Sequence, residues 1–174
     1  MTARRESSAR ESAEHLGTEH TQLDVTDAES IERAAAALGE RYGQIDVLVN
    51  NAGISIGGSN ADDVKRTIAV NLIGAMAVTG AFRPILSKHA SIVMVSSGLG
   101  ELSCLSPARR REFEDPKLSR NRLVDLMQQF VKNVENGTPR SQGLVVFRLQ
   151  CLEGRAQCLY AHPRPRARGY GRPR

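Results

Sequence analysis

Short apolar runs alternate along the chain with stretches of helical periodicity. Thr21–Val25 (T-Q-L-D-V), Ile45–Val49 (I-D-V-L-V) and Ser91–Val95 (S-I-V-M-V) read as strands, the last two apolar enough to be buried on both faces. Between the first two, Ile31, Ala34, Ala35 and Leu38 mark one helical face. That helix opens at Thr26-Asp27-Ala28-Glu29, a capping-box pattern, and Gly39 and Gly43 punctuate its end. Residues 61–86 predict a long Ala-rich helical stretch, interrupted at Pro84. Over 118–135, Leu123, Leu126, Met127, Phe130, Val131 and Val134 keep the spacing of an amphipathic helix. Strands alternating with helices predict an α/β domain with a parallel sheet.

Composition narrows the class. The 174 residues suffice for one domain, and 40% hydrophobic with 25% charged residues is ordinary for a globular chain. No run approaches 18 consecutive apolar residues, so no membrane span is expected. The N-terminus (Thr2, Arg4, Arg5, Glu6) is polar and basic, without the apolar segment of a secretory signal, which predicts a cytoplasmic protein. Three cysteines, Cys104, Cys151 and Cys158, are too few and too irregular for a disulfide framework. His15, His20, His89 and His162 are scattered, and no metal site is expected.

The net charge of +5 is unevenly placed. Residues 144–174 hold seven arginines and one glutamate, whereas residues 1–143 hold 17 basic and 18 acidic residues. After Gly143, Pro, Arg and Gly dominate and periodicity ends. The division is therefore a near-neutral domain over 1–143 and an irregular basic tail over 144–174. A basic tail also admits nucleic-acid binding, but its aromatics are few, Phe147, Tyr160 and Tyr170, and no recognition module surrounds it.

Three motifs carry candidate chemistry. Asn50-Asn51-Ala52-Gly53 ends the strand I-D-V-L-V. In an open α/β sheet, ligands bind at the carboxyl ends of strands, and a small turn there lets backbone approach a flat ring. By itself the motif also reads as a plain Asn/Gly turn. Asn71 follows in V-N-L, inside a helix where Asn is a mediocre former. Ser96-Ser97 closes the strand S-I-V-M-V.

In this order and spacing, the motifs resemble the short-chain dehydrogenase/reductase family over about residues 1–143. The resemblance implies an incomplete Rossmann-like, doubly wound parallel sheet and NADPH as cofactor. It implies that Asp24 and Val25 lie at the adenine ring. Asn51, Ala52 and Gly53 would lie beside the adenosine ribose and the nicotinamide end. Asn71 would hold a water in a proton relay, and Ser97 would hydrogen-bond the substrate carbonyl. Thr2-Ala3-Arg4 resembles the strand end at which NADPH-preferring members place an arginine against the ribose phosphate, a role that suits a guanidinium fork. The segment with Leu102-Ser103, Leu105-Ser106-Pro107, Phe113 and Asp115-Pro116, followed by the 123–134 helix, resembles the insertion of the larger carbonyl reductases. Those are monomers that act on small ketones, aldehydes or quinones.

Two parts of the family pattern do not occur in the sequence. One is the loop T-G-x-x-x-G-x-G with its flanking strand and helix, which places pyrophosphate on backbone N–H groups. The other is Tyr-x-x-x-Lys: Tyr42, Tyr160 and Tyr170 have no lysine four residues on, and the last lysine is Lys132. That pair supplies the proton to the carbonyl oxygen. Back-translation of residues 144–174, read one nucleotide later with free third bases, can give W-S-S-S-A-Y-S-V-S-K-A-A-L-N-A-Y. That text resembles the family's catalytic helix. The expectation is thus a chain truncated at its N-terminus, frameshifted after Gly143, and inactive as written. The alternatives are a non-catalytic partner of an intact paralogue and an Arg-rich nucleic-acid binder.

Overall fold

The structure is a computed structural model, which describes residues 1–56, 60–96, 102 and 105–138. The predicted tail and Ser97 lie outside the described residues.

A two-residue strand β1 (Thr2–Ala3) pairs in parallel with β2 (Thr21–Gln22), Thr2 opposite Thr21 and Ala3 opposite Gln22. The predicted strand over Thr21–Val25 is thus shorter than its apolar pattern suggested. Its remainder turns away, because the Asp24 carboxylate accepts from both the backbone N–H and the hydroxyl of Thr26. Between the two strands runs α1 (Glu6–Leu16), a helix that the sequence pattern does not announce. Its buried face consists of two alanines, Ala9 and Ala13, while Leu16 is exposed, so no large apolar stripe marks it. Gly17 stops it in the left-handed region, at φ 62°.

Helix α2 (Ala28–Tyr42) begins one residue later than the capping box predicted. Its cap is Asp27, whose carboxylate accepts from the Glu29 N–H, and the Thr26 hydroxyl is already engaged with Asp24. Ile31, Ala34 and Ala35 are buried, as their spacing required, and Leu38 packs against the same cluster. Strand β3 (Ile45–Asn50) then pairs in parallel with β4 (Leu86–Met94), with Leu48 opposite Ile92 and Asn50 opposite Met94. The predicted adjacency of Ile45–Val49 and Ser91–Val95 is therefore observed. β4 starts at Leu86, well before Ser91, and the register shifts between Ile45 and Val47 to absorb the extra residues.

From residue 61 to residue 85 the chain stays helical, but not uniformly so. Helix α3 (Ala61–Ile68) passes into a π turn over Ala69–Gly74, resumes as α4 (Ala75–Phe82), and tightens to a 3-10 turn over Arg83–Ile85, where Pro84 ends it. This run is long and apolar enough by composition to cross a membrane, with a mean hydropathy of 1.5. Here Val64, Leu72 and Met76 enter one core while Val78 and Phe82 enter another. Two further helices complete the described fold: α5 (Pro107–Glu114), capped by the Ser106 hydroxyl, and α6 (Arg120–Glu135), capped by that of Ser119. The first core gathers α3, α5 and α6 around Phe113, Leu123, Leu126 and Phe130, each at most 1% exposed. Burying such a side chain contributes on the order of 1.5–3 kcal/mol. The second core lies between α2, α4 and one face of β3, where Leu48 is buried.

The result is an incomplete doubly wound parallel sheet, present as two separate two-stranded pieces, β1 with β2 and β3 with β4. The expectation that the apolar strands are buried throughout holds on one face only. Val47, Val49, Val93 and Val95 are 43–54% exposed, because no described helix covers that side.

Candidate functional site

The carboxyl ends of β3 and β4 open into a cleft of about 250 Å³, walled by Asn51, Ala52, Gly53, Ser55, Asn71 and Ser96 among others. Two asparagines shape it, in different ways. Asn50 closes β3: its side-chain amide donates to the Thr79 hydroxyl at 3.1 Å and to the Met94 sulfur at 3.0 Å. Its carbonyl accepts from the Val95 N–H at 3.0 Å, so the ends of both strands and α4 are tied at one residue. Asn71 sits in the π turn and is 6% exposed. Its Oδ1 accepts from the Ile54 N–H at 2.8 Å, and its Nδ2 donates to the Ile54 carbonyl at 3.0 Å. The side chain pairs with Ile54 as a second backbone strand would, and thereby holds the 51–54 segment against the helix.

A second group stands at the ends of β1 and β2. Asp24 is fixed by Thr26, and Arg4 lies within electrostatic reach of it. Hydrogen bonds from the Thr26 hydroxyl and N–H, helped by Arg4 against the opposing effect of burial, hold the Asp24 carboxyl below its usual range. The Arg4 carbonyl accepts from the Gln22 side chain at 3.1 Å, which holds the backbone after β1 beside β2. Val25 joins this group to the cleft. A Cβ on Gly74 would lie 2.8 Å from the Val25 carbonyl oxygen, so only glycine lets the π turn come this close. Gly53 is different: a Cβ there would meet nothing nearer than 3.7 Å.

The structure therefore brings Asn51, Ala52, Gly53 and Asn71 together in one cleft. Arg4, Asp24 and Val25 form a neighbouring group across the Gly74 contact. Ser97 lies outside the described residues, directly after Ser96 in the cleft wall. Sequence reasoning missed Asn50 as an anchor and missed Gly74, Thr79 and Met94. A glycine inside an apolar helix was the one available signal.

The two groups suit the two ends of a dinucleotide unequally. Helix α1 opens behind Arg4 without a side-chain cap, so its first N–H groups and the guanidinium suit a phosphate on an adenosine ribose. Helices α2, α3, α5 and α6 each spend an N-terminal N–H on their own capping side chain. No glycine turn opening a helix faces the cleft among the described residues. The described residues there offer a pyrophosphate no cradle, and the cleft they wall is smaller than the roughly 300–1,000 Å³ usual for small-molecule and cofactor sites. The described residues do not fit the whole dinucleotide.

A family model described as "Enoyl-(Acyl carrier protein) reductase" matches residues 1–106. The chain belongs to the short-chain dehydrogenase/reductase family. Carbonyl reductase (NADPH) 1 of Sus scrofa is 33% identical to this dehydrogenase/reductase chain over 137 residues, which are 75% of the chain and 47% of the relative. Carbonyl reductase (NADPH) 3 of Rattus norvegicus is 33% identical over 157 residues, 82% of the chain and 56% of that protein. The chain thus spans about half the length of the curated relatives it matches. Among solved structures, salutaridine reductase from Papaver somniferum superposes with a TM-score of 0.77 at 20% identity, over 91% of this chain and 68% of its own. That likeness shows the fold and nothing finer.

Proposed function

We propose that this chain carries part of the binding and catalytic face of an NADPH-dependent carbonyl reductase, and that its 174 residues alone do not reduce a carbonyl. The observation that carries the reading is the cleft at the ends of β3 and β4, where Asn71 clamps the Asn51–Gly53 segment beside Ser96. The names of the relatives, carbonyl reductase (NADPH) 1 and 3, support the same class of substrate and cofactor.

In the proposed assignment Arg4 meets the ribose phosphate, and Asp24 and Val25 flank the adenine. The backbone of Asn51, Ala52 and Gly53 lies along the ribose and the nicotinamide end. NADPH held there would supply a hydride. The Ser97 hydroxyl donates to the carbonyl oxygen of a small ketone, aldehyde or quinone and so orients it. Asn71 acts on this site by holding the 51–54 segment, whose two backbone groups at Ile54 it satisfies. A carbonyl oxygen reduced there would need a proton, and the sequence has no Tyr-x-x-x-Lys to deliver it.

A chimera tests this assignment. The chain through Gly143 is joined to the pig relative's glycine-loop segment on one side and its Tyr-x-x-x-Lys segment on the other. It is expected to oxidise NADPH in the presence of a quinone or ketone. Ser97→Ala in that chimera lowers kcat on the order of 10²–10³-fold, the usual cost of removing one donor to a developing oxyanion. A chimera that folds, binds NADPH and turns over equally well with Ser97→Ala overturns the role given to Ser97.

A further inference from the structure

We propose that Met94 is an oxidation site, at which conversion of its thioether to the sulfoxide loosens the cleft. The chain has four methionines, and the structure sorts them. Met76 and Met127 are 1% exposed inside the core that α3, α5 and α6 share. Met1 is exposed at the terminus. Met94 is half-buried: it lines the cleft on one side and packs against that same core on the other. Met94 lines the cleft that a small oxidant enters, and its sulfur is not an idle surface group, because it accepts the Asn50 amide at 3.0 Å.

The chemistry needs only a peroxide. A sulfur lone pair attacks one oxygen of hydrogen peroxide, the S–O bond forms, the O–O bond breaks and water leaves. Sulfur loses two electrons and the peroxide gains them. The product replaces a soft, apolar group by a polar S=O that needs hydration. At Met94 this polar group stands where the cleft wall meets an apolar core. A sulfur that has given electron density to oxygen is a poorer acceptor, so the Asn50 amide loses its bond to the sulfur or shifts to follow the new oxygen. Asn50 is also held by Thr79 and pairs with Val95, so a displaced Asn50 releases the carboxyl ends of both β3 and β4. The Asn50 bond further sets the rate: it engages a sulfur lone pair and makes the thioether a poorer nucleophile than the free one of Met1.

Dilute hydrogen peroxide, with peptide mass spectrometry over time, tests the proposal on the full chain. The expected order of oxygen addition is Met1 first, Met94 next, and Met76 and Met127 slower than Met94 by about tenfold or more, following access. Asn50→Ala brings the Met94 rate several-fold closer to that of Met1. Amide exchange then reads the consequence. In wild type, oxidation to one oxygen at Met94 speeds exchange at Val95, whereas Met94→Leu under the same peroxide keeps Val95 protection unchanged. Oxidation of Met94 no faster than that of Met76 and Met127 overturns the site. Val95 protection that survives complete Met94 oxidation overturns its effect on the cleft.

Discussion

Replacing Asn71 by alanine isolates the clamp that shapes the cleft. The side chain makes two hydrogen bonds, 2.8 Å from the Ile54 N–H and 3.0 Å to the Ile54 carbonyl, from a position that is 6% exposed. Each such bond contributes roughly 0.5–1.5 kcal/mol net, so their joint loss costs about 1–3 kcal/mol. Alanine is the better helix former by about 0.5 kcal/mol, which offsets part of this. Water reaches half-buried Ile54 and satisfies some of what is lost, which keeps the cost from rising to that of fully buried orphans. The expected net destabilisation is about 1–2 kcal/mol, a drop of roughly 2–8 °C in thermal midpoint for a chain of this size. Asn71→Asp keeps the acceptor but turns a second acceptor toward the Ile54 carbonyl, so it costs more than alanine. Thermal unfolding gives the magnitude, and amide exchange at Ile54 gives the location. If Asn71→Ala leaves both the midpoint and Ile54 protection unchanged, the side chain does not hold the 51–54 segment and the reasoning fails.

Gly74→Ala places a methyl 2.8 Å from the Val25 carbonyl, a backbone atom that cannot swing aside, and is expected to lower stability by about 1–3 kcal/mol despite the better helix propensity. Gly53→Ala, whose Cβ meets nothing nearer than 3.7 Å, serves as the near-neutral control in the same urea titration. At Glu112 burial pushes the carboxyl pKa up, but hydrogen bonds from Arg122 and Arg109 outweigh it and hold the pKa below the usual 4.5. A depressed folded-state pKa means that this stabilisation is fully present above pH 4.5 and is lost as pH falls through the folded value. Glu112→Gln should therefore be less stable than wild type near neutrality and should lose less on acidification; parallel pH–stability curves for the two proteins contradict this.

What the sequence disclosed follows from where the signal is large. Helix α2 was legible because Ile31, Ala34 and Ala35 keep strict spacing, and α6 because Leu123, Leu126, Met127 and Phe130 fill its stripe. The pairing of β3 with β4 followed from their apolar runs. Helix α1 stayed hidden because its core contacts are Ala9 and Ala13, which carry little hydrophobic contrast. The cleft residues Asn51, Ala52, Gly53 and Asn71 were legible as motifs. Their mechanics were not, because Asn71 reaches across 17 positions to Ile54 and Asn50 across 44 to Met94. The π turn that carries Asn71 and Gly74 also has no local pattern: it arises where the chain must bring Gly74 against Val25 while Asn71 faces Ile54.

NADPH oxidation by the purified 174-residue chain, measured with a panel of ketones, aldehydes and quinones, decides whether these residues alone reduce a carbonyl. The expected rate equals the buffer blank, because the proposed site at the cleft would orient a carbonyl and hold parts of a dinucleotide without the Tyr-x-x-x-Lys that protonates the product. Turnover above the blank that Ser97→Ala abolishes would contradict it, and would mean that these residues bind the whole cofactor and draw their proton from another group.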